Sequence, residues 1–324
     1  MLKIGLFGVG HLGRIHLKIL LELKDIFEVI GFFDPNNENA SNVESELGIK
    51  RFDSEINLIR LTDCIDIVTP TKHHFLIANH AIGSKKHVFI EKPIAQTTEE
   101  AEEIKNLATT HNVKVQVGHV ERFNPAFIAA KKQLSEPMFI ETHRLAQFNP
   151  RGTDVPVVLD LMIHDLDIIL SVVNSDIKNI SASGVSVVSE SHDITNARIE
   201  FENGCVANLT ASRISLKNMR KSRFFQKDAY VSVDFLNKEF ECLKMESLTS
   251  EPDPFDLIFD PGTGKPKKKV LIDKPEIEPT NAIKEELISF HNCIINDTKP
   301  IVSEKDGLKA LKVAHKIQEK LLNH

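Results

Sequence analysis

Lys3-Ile4-Gly5-Leu6-Phe7-Gly8-Val9-Gly10-His11-Leu12-Gly13 is a short apolar run that breaks into three spaced glycines. Leu12, Ile15, Ile19 and Leu20 then recur at helical spacing. A strand before the Gly8-x-Gly10-x-x-Gly13 pattern and a helix after it give the pattern a meaning that glycines alone lack. Gly8 permits the tight turn, Gly10 lets backbone approach a pyrophosphate, and Gly13 lets helix pack on strand. The helix start at His11 and Leu12 offers free N–H groups and the positive end of a dipole. A second apolar run, residues 27–33, ends at Asp34-Pro35-Asn36-Asn37, a turn signal. Asp34 is placed to accept from both ribose hydroxyls. A carboxylate there repels a 2′-phosphate and no Arg follows it, so the expected cofactor is NAD rather than NADP.

The alternation continues outward. Ile65-Asp66-Ile67-Val68 is a strand broken by Thr69-Pro70, and a helix over 74–82 runs to Gly83. Val88-Phe89-Ile90 is apolar on both faces, as a central strand of a buried parallel sheet is, and Glu91-Lys92-Pro93 follows it. Pro93 has no N–H and ends the ladder. Thr97 or Thr98 can cap the next helix, with Glu100 in its first turn, and Lys114-Val115-Gln116-Val117 is a further strand ending at Gly118-His119. This order predicts an α/β fold whose first domain, residues 1–119, is a doubly wound parallel sheet. Lys92 would stand at its carboxyl edge, where such sheets bind ligands.

From 120 to 324 the rhythm differs. Pro125 can open a short helix behind Asn124, residues 139–148 alternate as a strand, and 155–173 reads as one long apolar-rich helix. Successive strands are expected from 180 to about 240, with a type I′ turn signal at Asn203-Gly204. Residues 252–269 read as an exposed loop. Helices are expected over 281–295 and after Ser303, which with Asp306 can cap the last one. Strands in succession after a βαβ half imply a separate second domain built on an antiparallel or mixed sheet.

Composition narrows the classes of function. A chain of 324 residues, 41% hydrophobic and 27% charged, has room for two domains and a sizeable core. A formal charge of −6 offers no footprint for nucleic acid. No apolar run approaches the ~20 residues of a membrane span. Cys64, Cys205, Cys242 and Cys293 are dispersed with no CxxC pair, which argues against a zinc site or a disulfide framework. With a strand starting almost at Met1, the simplest expectation is a cytoplasmic protein without a resident metal.

Three groups of residues suit chemistry. Asp160 and His164, four apart on one predicted helix, project together, and His is suited to proton exchange near neutrality. Lys92 can stabilise an alkoxide as hydride leaves carbon. Thr69, Pro70, Lys72, His73 and His74 share its sheet edge, although a solvated turn is the better reading of Lys72 and His74. Arg122, where the domains join, can clamp an anionic substrate, and Arg144, Arg151 and Arg213 are further anion candidates.

Taken in order, Gly8-x-Gly10-x-x-Gly13, Thr69-Pro70, Glu91-Lys92-Pro93 and Asp160-x-x-x-His164 make the chain resemble the Gfo/Idh/MocA-type NAD(P)-dependent oxidoreductases over nearly its whole length. Met162 stands where that family commonly has glycine. The resemblance implies a Rossmann domain followed by an α/β domain with a large open, mostly antiparallel sheet, and that Gly8, Gly10, His11, Leu12, Gly13, Asp34, Thr69, Pro70, His73, Glu91 and Lys92 hold the cofactor. It also implies that Lys92 contacts the reacting hydroxyl, His164 is the general acid/base, and Asp160 orients substrate, with Arg122 and Asn124 on the substrate side. His119-x-Glu121-Arg122-Phe123-Asn124-Pro125 is most similar to a nucleotide-sugar subgroup that includes UDP-N-acetylglucosamine 3-dehydrogenases. A sugar or nucleotide-sugar dehydrogenase forming homodimers or homotetramers is the expectation. An inositol or aldose dehydrogenase, an NAD-dependent glycosidase and a non-catalytic NAD-binding regulator are the alternatives.

Overall fold

The computed structural model describes residues 1–149, 155–248, 251–262 and 264–322. Two compact units emerge, Met1–Phe123 with Asn281–Lys312, and Asn124–Thr280 with Val313–His324. The division therefore does not follow a single cut at 119/120, because the chain's closing segment packs back into the first unit.

In that unit β1 (Leu2–Phe7), α1 (His11–Glu22), β2 (Phe27–Phe33), α2 (Asn37–Leu47) and α3 (Glu55–Leu61) are followed by β3 (Cys64–Ile67), α4 (His74–Gly83), β4 (His87–Glu91), α5 (Thr98–His111) and β5 (Val115–Gly118). The five strands pair in parallel in the order β2-β1-β3-β4-β5. Val88, Phe89 and Ile90 are fully buried, as a central strand covered on both faces requires. Local signals end the helices where the sequence placed them. Asn36 caps α2 by accepting from the Asn39 N–H, and Gly48 closes it in the left-handed region at φ 65°. Thr97 and Glu100 form a reciprocal capping box at α5.

The β5 edge is covered rather than left open. The Val117 N–H donates to the Val302 carbonyl (3.0 Å), and Gln116 bridges to Ser303. From α8 (Ala282–Ile295) of the same unit, Leu287, Phe290 and Cys293 join Ile4, Leu6, Leu17, Leu20 and Phe89 in one core. Phe89 meets Phe290 edge-on at 5.9 Å. The last helix, α9 (Glu304–Leu322), starts where Ser303 and Asp306 cap it, and Gly307 lets it approach β5, since a Cβ there would lie 2.8 Å from Val117.

The second unit holds α6 (Pro125–Lys131), β6 (Pro137–Leu145), a π turn (Val158–Met162) leading into α7 (Ile163–Val172), and β7 (Ile177–Val185), β8 (Ile194–Phe201), β9 (Val206–Ser212), β10 (Met219–Gln226), β11 (Ala229–Asp234), β12 (Glu239–Ser247), β13 (Leu257–Phe259) and β14 (Lys268–Asp273). They form a sheet in the order β13-β14-β12-β11-β10-β6-β9-β8-β7. Among its described pairs only β6 and β9 run parallel. On β8, Thr195, Ala197, Ile199 and Phe201 are buried while Asn196 and Arg198 are exposed, the alternation of a sheet with one covered face.

Three expectations change. The helix expected as one piece over 155–173 begins with a wide turn, a feature frequent at functional sites. The connection at Asn203-Gly204 is a hairpin but not a type I′ turn, because Gly204 has positive φ and Asn203 does not. Residues 252–269, expected as loop, contribute β13 and the first residues of β14 to the sheet edge, where β13 satisfies its backbone on β14 and β14 on β12.

Candidate active site

The glycine turn is built by close approach. Gly8 holds φ 89°, and a Cβ on Gly13 would fall 1.9 Å from the Gly8 carbonyl oxygen, so α1 can press onto the turn only without a side chain there. A Cβ on Gly10 would meet nothing within 4 Å, leaving open space at the start of α1 beside exposed His11 and Leu12. That bare backbone is what a dinucleotide pyrophosphate needs. Asp34 anchors the turn as well as facing it, since its Oδ2 accepts from the Val9 N–H and its Oδ1 from the Asn36 N–H, both at 2.8 Å. Arg51 donates to the Asp34 carbonyl (3.0 Å) and to Asn37 Oδ1 (2.7 Å). Sequence reading had no signal for this arginine, which arrives from beyond α2.

Thr69, Pro70 and exposed His73 lie between β3 and α4, and half-buried Lys92 follows β4. His74 corrects its reading as a solvated residue. It is 1% exposed, with Nδ1 2.9 Å from the Pro93 carbonyl and Nε2 2.8 Å from the Thr69 carbonyl. It thereby ties the Thr69-Pro70 turn to the Lys92-Pro93 turn. Burial pushes its pKa down, against the two carbonyls and the Glu91 charge. The Lys92–Pro93 peptide is cis.

Glu91, expected among cofactor ligands, is buried with its carboxylate against His16 Nε2 (3.3 Å) and accepting from the Lys92 N–H (3.2 Å). Gly118 makes room, for a Cβ there would sit 2.7 Å from Glu91 Oε1. His16 Nδ1 lies 3.0 Å from Asp66, and neither side chain is exposed. Burial alone would lower the His16 pKa, but Asp66 and then Glu91 hold it well above its ordinary value. His16 sits one turn after Leu12 on the buried face of α1, a position periodicity marks only as core.

In the second unit Asp160 lies in the π turn and His164 in the first turn of α7, both half-buried. The neighbouring Asp165 is buried and gripped by Arg144, whose Nε and Nη2 each donate at 3.0 Å. This paired grip fixes the backbone that carries His164. It also removes Arg144 from the anion candidates. Arg213 likewise serves the fold, donating to the His192 carbonyl (3.1 Å) beside Asp193. Arg151 lies outside the described residues. Arg122, in the first unit, is 9% exposed with Nη2 3.7 Å from Asp306, an acid of the same unit. Asn124 is 4% exposed, donates to the Phe235 carbonyl (2.9 Å) and caps α6 through Ala126. Among the described residues no helix is long and apolar enough to cross a membrane, and the four cysteines are free and buried.

Residues 2–119 match the oxidoreductase family with an NAD-binding Rossmann fold, and residues 135–226 match the GFO/IDH/MocA C-terminal domain. The chain is 39% identical over 237 residues to the UDP-N-acetylglucosamine 3-dehydrogenase of Acidithiobacillus ferrooxidans, covering 73% of this chain and 75% of that one. The solved structure of UDP-N-acetylglucosamine 3-dehydrogenase GnnA from that organism superposes with a TM-score of 0.88 at 32% identity, covering 99% of this chain and 97% of the other. The scyllo-inositol 2-dehydrogenase (NAD(+)) of Bacillus subtilis is 25% identical over 96% of this chain and 91% of its own.

Proposed function

The chain belongs to the GFO/IDH/MocA oxidoreductase family and is an NAD-dependent enzyme acting on CH–OH groups, and we propose that its substrate is a nucleotide sugar. The sharpest form of the proposal is oxidation of UDP-N-acetylglucosamine at its 3-hydroxyl to the 3-keto sugar. The similarity to the Acidithiobacillus ferrooxidans dehydrogenase supports this reading over a free sugar.

In the proposed reaction the bound nicotinamide supplies the hydride acceptor. His164 takes the hydroxyl proton as the C–H bond breaks, acting as the general base. Asp160, four residues before it in the π turn, orients the sugar. The Lys92 ammonium stabilises the negative charge that develops on the oxygen. The observation that carries the reading is the presentation of these groups. Lys92, Asp160 and His164 are each half-buried, whereas the charged side chains around them, Glu91, Asp165 and Arg144, are buried and engaged within the fold. Arg122 is proposed on the diphosphate side of the substrate.

A panel of UDP-sugars, inositols and free hexoses, followed by NADH absorbance, tests the assignment. Turnover confined to UDP-N-acetylglucosamine supports it. Preferential turnover of an inositol would establish the second reading, which the Bacillus subtilis relative favours. The four buried thiols fit a reducing cytoplasm, and a homodimer or homotetramer is the proposed assembly, measurable by light scattering.

A further inference from the structure

Four ionisable side chains meet in the interior of the first unit. They are His16 from α1, Asp66 from β3, Glu91 from β4 and Glu286 from α8, with exposures of 0, 0, 7 and 0%. A nitrogen of His16 and one carboxylate oxygen each of Glu91 and Glu286 lie within 4.8 Å of one another. Lys92 follows Glu91, and β5 contributes only neutral Gln116, whose Nε2 donates to the Glu286 carbonyl (2.7 Å). Phe89 and Phe290 wall the space.

Charge counting constrains this group. His16 hydrogen-bonds Asp66 through Nδ1 (3.0 Å) and sets Nε2 3.3 Å from Glu91 as a charge contact without hydrogen-bond geometry, an arrangement that suits an imidazolium between two carboxylates. That trio already carries one net negative charge. A third carboxylate within 4.8 Å would be a second uncompensated buried anion, which proteins avoid by protonation. Both Glu286 oxygens are buried and without a hydrogen-bond partner. Burial, and then the Glu91 charge, push its carboxyl well above the usual carboxylate range.

We propose that Glu286 is kept as a neutral acid and acts as a positioning residue for Lys92. While neutral, it leaves Glu91 the sole carboxylate facing His16 Nε2 and the Lys92 N–H. When it ionises, like-charge repulsion drives Glu91 off that N–H and loosens the turn that aims the Lys92 ammonium. The inference rests on the role proposed for Lys92, and it gives turnover an alkaline limb set by a side chain that does not touch substrate.

The test compares wild type with Glu286→Gln, which imitates the neutral acid at every pH. From about pH 6 to about pH 10, wild-type turnover is expected to fall about tenfold more than that of the variant, with neutral-pH turnover of the two within about threefold. The thermal midpoint of the wild type is expected to drop along the same pH range and that of Glu286→Gln to stay flatter, a readout independent of activity. Identical alkaline limbs and identical midpoint curves would overturn the proposal. So would a Glu286→Gln enzyme that folds and binds NAD but is about a hundredfold slower at every pH, which would mean that the carboxylate itself is needed. A stoichiometric divalent metal found by elemental analysis of the purified protein and lost in Glu286→Gln would also overturn it, replacing the proton with a cation. Should Lys92→Met retain turnover while the midpoint curves still diverge, the role of Lys92 fails and the neutral state of Glu286 stands.

Discussion

The sheet edge after β4 and the turn that opens α7 bear the residues proposed for the chemistry, and they are held in opposite ways. Around Lys92 the supporting groups are buried and bonded to one another, with His74 tying two turns, and Glu91, His16 and Asp66 in a chain. Around His164 the support includes a strong pair, Arg144 with Asp165, beneath a π turn that leaves Asp160 and His164 half-buried. The first arrangement fixes a backbone. The second keeps an imidazole accessible. Damage to the first should therefore appear as lost stability together with lost rate, and damage to the second as lost rate alone.

The largest effect expected is at His164. Replacement by Asn should lower kcat by about 10²–10⁴-fold, the contribution of a positioned acid/base, with the unfolding midpoint little changed. A large fall in the midpoint would break the contrast. Lys92→Met should cost about 10²–10³-fold in kcat while NAD binding, measured by titration calorimetry, stays near wild type. Asp34→Ala removes acceptors from the Val9 and Asn36 N–H groups and should weaken NAD binding by about tenfold to a hundredfold, or ~1.4–2.8 kcal/mol.

His74→Leu tests the locked edge directly. It leaves whichever of the Thr69 and Pro93 carbonyls accepts the single N–H of the neutral ring without its partner and should cost about 1–3 kcal/mol in urea unfolding. Because the folded pKa of His74 is depressed, its contribution is present above the ordinary value near 6.5 and is lost as pH falls through the depressed one. The gap between wild type and His74→Leu should accordingly narrow in acid. The smallest effect is Thr97→Ala, which removes the cap of α5 and should cost ~1 kcal/mol of stability without touching kcat.

Local rules made most of the first unit legible. The glycine turn, the all-apolar run at Val88–Ile90, the Thr97–Glu100 box and the Gly48 stop each act within a few residues, so spacing alone reveals them. The parallel first sheet and a strand-rich second domain followed from the alternation of runs, whereas the strand orders did not. What sequence reading missed was set by residues far apart in the chain. His74 looks solvated beside Lys72 and His73 until Pro93 and Thr69 fold over it. Glu91 reads as a cofactor residue because its partner, His16, lies on another element and looks like core. Arg144 looked like an anion clamp because nothing near it in sequence announces Asp165. The π turn was hidden for another reason, since one extra residue in a turn hardly disturbs an apolar pattern.

The return of α8 to the first unit has a consequence for synthesis of the chain. Leu287, Phe290 and Glu286 complete a core whose other members are translated far earlier. At about 5–20 residues per second, Glu286 leaves the ribosome roughly 10–40 s after Glu91. During that interval the nascent Rossmann sheet exposes the apolar flank that Phe290 will cover, with His16, Asp66 and Glu91 still open to water. The nucleotide-binding half of this protein is thus the first to be made and among the last to be finished, so a ribosome stalled before α8 would display a sticky, incomplete sheet to the cell's chaperones.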